Sequence, residues 1–449
     1  MAKVSDQSLY KKVLHLAWPA VLEAFFINLA GLIDTMMVAG LGTAAVAATG
    51  LSTQPFFLTM TPVIATTVSL SALVARRMGE ERREKANETF VTACLICFIL
   101  AFFVTAFGLL LADPVLRIAG SNPQTHEMGV AYYHARSLGI FVLVFTMAFD
   151  AAQRGSGNTH IAFKVNLTSS AVNIFLNYLL IYGHWGFPKL GVYGAGLATV
   201  LGDVVACILA TISVFGRHSY IKIPYIVKHQ IRASWASFKS ILYLGLPLAA
   251  ENVLMRVGFV ATAVTAAGLG TEPFAAHQVT MNLLGLGFSF GDGMQTSAMT
   301  LTGNALGAKE GERAIRYGKT CRTIGYFLAG FLSLAVLLLG PQFYDYQFAD
   351  AQVVNMGVHI SRYIILIVFF QIQQLIYNGV LRSAGDVKYT MITSMISVTI
   401  IRTLATLLFV HFFHLGLDGI WMGILLDQFF RFLFSYWRFH QGKWIYLKI

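Results

Sequence analysis

The sequence predicts an all-α integral membrane protein, with twelve transmembrane helices in two pseudo-symmetric lobes of six. The first indication is composition: of 449 residues, 56% are hydrophobic and 12% are charged, whereas a soluble domain carries about 25% charged residues. The second is length, because several apolar runs exceed the ~18 residues that a helix needs to cross a bilayer. The short alternating strands of a membrane β-barrel are absent from the sequence.

The third indication is an internal repeat at a fixed spacing. Matching residues recur in the two halves of the chain, namely Pro19 and Pro247, Glu23 and Glu251, Gly42 and Gly270, and Arg154 and Arg382. The difference between the two positions is 228 in every pair (247 − 19, 251 − 23, 270 − 42 and 382 − 154). A constant spacing over so much of the chain indicates two equivalent lobes, and such duplication is common in membrane transporters.

Apolar runs and the polar breaks between them place the individual spans. In the first half, the spans are predicted at residues 13–38, 46–76, 89–113, 124–150, 159–182 and 191–216. In the second half, they are predicted at residues 236–266, 274–305, 317–341, 352–378, 388–413 and 418–439. The expected lobes are residues 1–216 and 236–449, joined by a basic cytoplasmic linker at 217–235. Since six is an even number of spans, both lobes enter the membrane in the same orientation.

Lysine and arginine are concentrated in alternate connections. The connections at 76–87, 217–235 and 304–319 are basic, whereas Gly40–Thr49 and Gly268–Ala276 contain neither residue type. Because basic loops stay in the cytoplasm, we expect a multi-pass protein of the inner (plasma) membrane with both termini cytoplasmic. The net charge of +11 then reflects topology. It is scattered over loops, so no nucleic-acid partner is expected.

The sequence indicates no enzymatic or metal chemistry. Cys94 and Cys97 form a C-x-x-C pair, but they lie on an apolar span, which favours packing over a metal site or a disulfide. Neither the phosphate-binding loop G-x-x-x-x-G-K-[ST] nor the zinc motif H-E-x-x-H occurs. We therefore expect no enzyme, no metal site and no bound cofactor.

Asp34, late in the first span, is the sharpest candidate for a functional residue. No lysine or arginine lies within a helical turn of it, and its counterpart in the second lobe is Thr262 (34 + 228). A charge inside a membrane is costly and is a functional hypothesis by default. Apolar surroundings disfavour the ionised form of a carboxyl group, so Asp34 can bind and release a proton. The alternative is a carboxyl group bonded to the backbone at a kink.

Spans five and six supply polar groups that can join Asp34. Asn173 and Asn177 are four residues apart, as are Thr199 and Asp203, so each pair lies on one helix face. Carboxamides on one face suit hydrogen bonds to a carboxyl group or coordination of a small cation. The alternative is a purely structural bond between helices. Asp203 is a secondary candidate for coupling, and so is Tyr132 in span four.

Each lobe repeats a proline and an acid in its first span. Pro19 and Pro247 remove a backbone donor and bend their helices, either as fixed packing features or as hinges. Glu23 and Glu251 follow them by four residues (23 − 19 and 251 − 247). Their duplication favours a shared structural role, with Glu251 a secondary candidate for coupling.

Two more patterns concern intramembrane arginines. Asp150 with Arg154 and Asp427 with Arg431 are predicted to be local ion pairs between residues four apart. Arg256 and Arg402 have no acid one helical turn away in the sequence. Both need partners across helices, and Glu251 is one candidate.

Several segments together resemble the multidrug and toxic compound extrusion (MATE) transporters, over essentially the whole chain. They are Asp34–Gly42 after Pro19, Gln153–Thr159, Asn173–Gly183, Ala275–Gln278, Gly303–Ala308 and Leu381–Asp386. The resemblance implies a twelve-helix, two-lobe antiporter that exports bulky, amphipathic and often cationic drugs or toxins. An inward flow of H⁺ or Na⁺ would power it.

The resemblance also implies roles for individual residues. Asp34 would carry the proton, with Asn173, Asn177 and Thr199 as its polar partners, and its protonation would bend span one at Pro19. Sodium-coupled relatives use acids in the second lobe, where this chain has Met255 and three glutamines, Gln371, Gln373 and Gln374. This favours the proton-coupled, DinF-like branch, while a sodium site at Asp34 stays open. Since one chain supplies both lobes, a monomer among membrane lipids is expected.

The competing interpretation is a flippase for lipid-linked oligosaccharides with a related fold. Such a protein needs a large basic cavity for pyrophosphate, with several arginines inside the spans. Arg256 and Arg402 are too few to make this the leading interpretation.

Overall fold

The computed structural model describes residues 6–216, 219–347 and 350–447. Its helices in the first half are α1 (Asp6–Ala39), α2 (Thr43–Gly79), α3 (Arg83–Leu110), α4 (Ala112–Ile118), α5 (His126–Leu138), α6 (Ile140–Gly155), α7 (Thr159–Tyr182), α8 (Gly191–Phe215) and α9 (Ile223–Lys228). Those in the second half are α10 (Trp235–Ala267), α11 (Thr271–Gly307), α12 (Gly311–Gln347), α13 (Ala351–Ser383), α14 (Val387–Phe412) and α15 (Gly416–Gln441).

The helices account for the twelve predicted spans. Within the described ranges, nine helices are long and apolar enough to cross a membrane, and the bent pair α5 and α6 makes a tenth. The 37-residue α11 and the 26-residue α15 complete the set, since both exceed the ~20 residues that a span requires. The predicted fold class, an all-α membrane protein of twelve spans in two lobes, is confirmed.

The fourth span, predicted at residues 124–150, is divided between two helices. It consists of α5 and α6, which are bent by 52° at the break between them. Gly139 occupies the break, and a Cβ atom at this position would lie 2.6 Å from the Val200 side chain of α8. Glycine both weakens a helix and permits the close approach of a neighbour. The bend therefore follows from packing against α8. The hydropathy of a sequence gives no information on such packing.

The chain forms two compact units whose boundaries fall inside α1 and α10. One unit comprises Leu22–Ala249, and the other comprises residues up to Val21 together with Ala250–Ile449. Both helices are continuous through their prolines. Each boundary lies two residues beyond a proline (21 − 19 and 249 − 247). The lobe boundaries at 216 and 236 stay a prediction, and residues 217 and 218 of the linker lie outside the described residues.

Close packing of α11 against the first part of α1 provides a test of the fold. A Cβ atom on Gly293 would lie 2.5 Å from the Cα atom of Val21 and 2.6 Å from its nitrogen. Because small residues let membrane helices approach closely, Gly293→Ala should destabilise this unit by about 1–3 kcal/mol, as overpacking does. We expect a lower thermal unfolding midpoint for the purified variant.

Gly285→Ala is the matched control on the same helix, because a Cβ atom there has no neighbour within 4 Å. Its midpoint should equal or exceed that of the wild type, since alanine favours a helix more than glycine does. Equal midpoints for both variants would contradict the packing described between α11 and α1.

Candidate ion-coupling site

The Leu22–Ala249 unit brings Asp34 of α1 against the two asparagines of α7. The Asn177 Nδ2 atom donates to Asp34 Oδ1 at 2.6 Å. With the Asn173 carboxamide oriented to suit its surroundings, its nitrogen donates to both Asp34 oxygens, at 2.8 and 3.1 Å. Its oxygen then faces the hydroxyl and the backbone nitrogen of Thr199, each at 3.2 Å. The four primary candidates therefore form one cluster.

Helix geometry explains why the cluster forms from these residues. Asn173 and Asn177 are one turn apart on α7, so both carboxamides point toward α1. Both are buried, whereas Asp34 and Thr199 are partly exposed. Three hydrogen bonds from neutral amides hold the carboxylate, and hydrogen bonds to a charged group are among the stronger ones.

Arg136 on α5 is a member of this cluster that the sequence prediction missed. Its guanidinium interacts electrostatically with Asp34, and its Nη1 atom lies 3.6 Å from Asp203 Oδ2 on α8. The Phe56 ring packs against it, with the Arg136 Cζ atom 4.7 Å from the ring centroid. An arginine inside predicted span four was the available signal, because such a charge is costly there.

The secondary candidates divide between two places. Asp203 pairs with Arg136, and Tyr132 interacts electrostatically with Arg136, Asp34 and Asp203. Both residues therefore belong to the surroundings of Asp34. Glu251 belongs to the other unit and takes no part in this cluster.

The arrangement suits exchange of a proton or of a small cation. Asp34 is held by amides and has no ion pair within 4 Å among the described residues, so its charge can be neutralised without breaking a tight salt bridge. The Asn177 Oδ1 atom is buried and has no hydrogen-bond partner in the described part of the chain, which leaves an acceptor beside the carboxylate. Oxygen atoms of this kind are the preferred ligands of hard cations. Among the described residues, no group of three or more His, Cys, Asp or Glu side chains forms a metal site.

The duplicated glutamates, which are both buried, form equivalent ion pairs with partly buried arginines in the two units. The Arg154 Nη1 atom lies 2.6 Å from Glu23 Oε1, and the Arg382 Nη2 atom lies 3.0 Å from Glu251 Oε1. Asn166 and its repeat counterpart Ser394 (166 + 228) donate to the same carboxylates, at 3.0 and 2.7 Å. This duplication supports a shared structural role for the two glutamates.

Of the other ion pairs predicted from the sequence, one is confirmed and the others have different partners. Arg402 does not contact Glu251, as its acidic neighbour is Asp427, with Nη1 and Oδ2 3.7 Å apart. The pair Asp427–Arg431 is confirmed, with Arg431 Nη2 donating to Asp427 Oδ2 at 3.0 Å. Asp150 accepts a hydrogen bond from Asn166 at 2.9 Å, while Arg154 makes its short contact with Glu23. The partners on other helices were not visible in the local sequence.

The sequence matches the MatE family at residues 19–179 and 247–408. The starts of the two matched segments differ by 228 (247 − 19), which is the spacing of the internal repeat. The chain is 28% identical to the probable multidrug resistance protein NorM of Thermotoga maritima, over 97% of this chain and 93% of the relative. It is 24% identical to the probable multidrug resistance protein NorM of Bacillus subtilis, over 92% of each.

Solved structures share the fold. An outward-facing multidrug resistance MATE family transporter of the MOP superfamily superposes with a TM-score of 0.90 at 23% identity, covering 97% of each chain. A MATE crystal structure in the straight conformation superposes with a TM-score of 0.89 at 23% identity, covering 99% of this chain and 100% of the other.

Proposed function

Because the chain belongs to the MatE family, we propose that it is a secondary active multidrug exporter, which moves bulky amphipathic and cationic compounds out of the cell in exchange for protons. The observation that carries the proposal is the Asp34 cluster. It holds the Asp34 carboxylate with two neutral amides, while Arg136 is paired with Asp203 beside it, so that the charge of Asp34 can be gained and lost without breaking an ion pair. The protein is then a transporter without cofactor or enzymatic activity.

Protonation of Asp34 changes the hydrogen bonds that its neighbours can make. The ionised carboxylate accepts from the amide nitrogens of Asn177 and Asn173. A protonated carboxyl group becomes a donor, which an amide nitrogen cannot accept. The proton would therefore turn toward an acceptor such as the unpartnered Asn177 Oδ1, and α1 would shift against α7. Loss of the negative charge also weakens the attraction for a cationic substrate.

The prolines are suited to transmit this shift. Pro19 lies on the same helix as Asp34, fifteen residues before it (34 − 19). The boundary between the two compact units lies two residues after Pro19, and the other boundary lies two residues after Pro247 on α10. A helix that lacks one backbone bond bends more easily at that point. We infer that Pro19 and Pro247 are the hinges of alternating access, in a monomer of the plasma membrane with both termini cytoplasmic.

Sodium is the alternative coupling ion. Its support is the set of oxygen atoms from Asp34, Asn177 and Asn173, which suits a hard cation. The second lobe supports it less, because Met255 and Gln371 stand where acids would be needed.

The test is efflux of ethidium from proteoliposomes that contain the purified full-length chain. A pH gradient and a Na⁺ gradient are imposed separately, with a protonophore or a sodium ionophore as the respective control. We expect the pH gradient alone to drive efflux, and the protonophore to abolish it. Efflux that requires Na⁺ would keep the exporter and overturn proton coupling. No efflux under either gradient would overturn the export proposal and favour the lipid-linked oligosaccharide flippase.

A further inference from the structure

The repeat partner of Asp34 lies in a positively charged environment. Thr262 on α10 is the residue that follows Asp34 at the repeat spacing (34 + 228), and the Arg402 Nε atom donates to its hydroxyl oxygen at 3.1 Å. The Thr262 hydroxyl in turn donates to the Gly258 carbonyl oxygen at 2.8 Å. Equivalent positions of the two repeats thus carry a carboxylate in one unit and face a guanidinium in the other.

Positive charge exceeds negative charge around Arg402. Arg402 and Arg431 share the single carboxylate of Asp427, at 3.7 and 3.0 Å. Within residues 6–216, 219–347 and 350–447, no second carboxylate lies within 4 Å of either arginine. The exposed fractions of Arg402, Arg431 and Asp427 are 1%, 4% and 0%. An uncompensated charge is costly when it is this deeply buried, and more so within a membrane.

Hydrogen-bond donors around Arg402 also lack acceptors. Among the residues that the structure describes, the Arg402 Nη2 and Trp421 Nε1 atoms are both buried without a hydrogen-bond partner. His277 is a neighbour of both residues: its ring centroid is 5.6 Å from that of Trp421, and it interacts electrostatically with Arg402. Its Nδ1 atom is also buried without a partner among the described residues, and this nitrogen donates only in the tautomer that carries its proton there. Because buried polar groups are almost always paired, Arg402 Nη2 and Trp421 Nε1 each call for an acceptor that the described residues do not supply in this arrangement.

We propose that Arg402, Trp421 and His277 bind a small monovalent anion of the chloride class. An anion would accept from the guanidinium and the indole and would also offset the excess positive charge, whereas a water molecule would do only the first. The ligand must be small because Thr262, His277, Arg402 and Trp421 are each at most 2% exposed. The Phe259 ring covers one face of the guanidinium, with its centroid 4.7 Å from the Arg402 Cζ atom. The proposal is independent of the coupling ion and of the exported compound.

Chloride binding is testable on the purified full-length chain, because a ligand that binds only the folded state raises its stability. Thermal unfolding midpoints are measured while sodium gluconate is replaced by sodium chloride at constant ionic strength. We expect the wild-type midpoint to rise with chloride and to saturate. Arg402→Gln removes the guanidinium, and Trp421→Phe removes the indole N–H. In each variant, the half-saturating chloride concentration should increase at least about tenfold.

Arg438→Gln is the matched control, since it removes a guanidinium from α15, the helix that carries Trp421, at a distant pair, Arg438–Asp386. It should keep the wild-type response. A wild-type midpoint that is equal in chloride and gluconate would overturn the proposal, and so would a response that survives unchanged in both variants. If Arg402→Gln does not fold, bromide quenching of tryptophan fluorescence decides. A saturable component should be present in the wild type and absent from Trp421→Phe, and its persistence in that variant would overturn the proposal.

Discussion

Replacing Asp34 with asparagine should reduce proton-driven ethidium efflux to the level of empty liposomes. Asparagine keeps the size of the side chain but cannot bind and release a proton near neutral pH, so the cluster would be fixed in one state. The thermal unfolding midpoint should stay close to that of the wild type, because the amides of Asn173 and Asn177 retain an oxygen to which they can donate. Full efflux by the variant would remove Asp34 from the mechanism and direct attention to Asp203.

Two further variants sharpen this prediction. Asn177→Ala removes the 2.6 Å bond to Asp34, and a hydrogen bond to a charged group contributes about 1.5–3 kcal/mol. Efflux should therefore weaken and its pH profile should move, without complete loss. Asp113→Asn is the control, in α4 outside the spans. Hydrogen bonds from Arg117 and His126 hold the pKa of Asp113 below its usual range, so this exposed carboxylate stays ionised at neutral pH. Its replacement should leave efflux unchanged.

Replacing Arg382 with methionine should destabilise its unit by about 3–5 kcal/mol, the effect of removing one member of a buried ion pair. The variant leaves Glu251, which is 2% exposed, with hydrogen bonds from Ser394 and Thr390 but without its cation. We expect a strongly lowered thermal unfolding midpoint and little folded protein in the membrane fraction.

The double variant Glu251→Gln with Arg382→Met should recover much of this loss, because it no longer buries an unpaired charge. Arg154→Met should behave like Arg382→Met through the equivalent pair with Glu23. Arg117→Met provides the control, since its pair with Asp113 is exposed and exposed pairs contribute ~1 kcal/mol or less. If the double variant is as unstable as the single one, the ion pair is not the source of the stability.

The sequence alone determined the twelve spans, the duplication and the local arrangement of polar groups. Hydropathy predicts the spans because a helix must remain apolar over the thickness of the bilayer. The fixed spacing of the internal repeat indicated a shared structural role for Glu23 and Glu251, although the sequence paired neither glutamate with the arginine that it contacts. Helical periodicity placed Asn173 and Asn177 on one face, since residues four apart always share a face.

Contacts between helices were decided only by the tertiary structure. Arg136 interacts electrostatically with Asp34 from α5, a helix that is bent away from α6 at Gly139, where Val200 of α8 comes close. Glu23 meets Arg154 across 131 residues of chain, and Arg402 meets Asp427 where Glu251 had been expected. A local pattern gives the face on which a side chain lies, but its partner depends on the rotation, depth and bending of the neighbouring helix. The rotation, depth and bending are set by close packing between helices, and they cannot be derived from a local pattern in a single sequence.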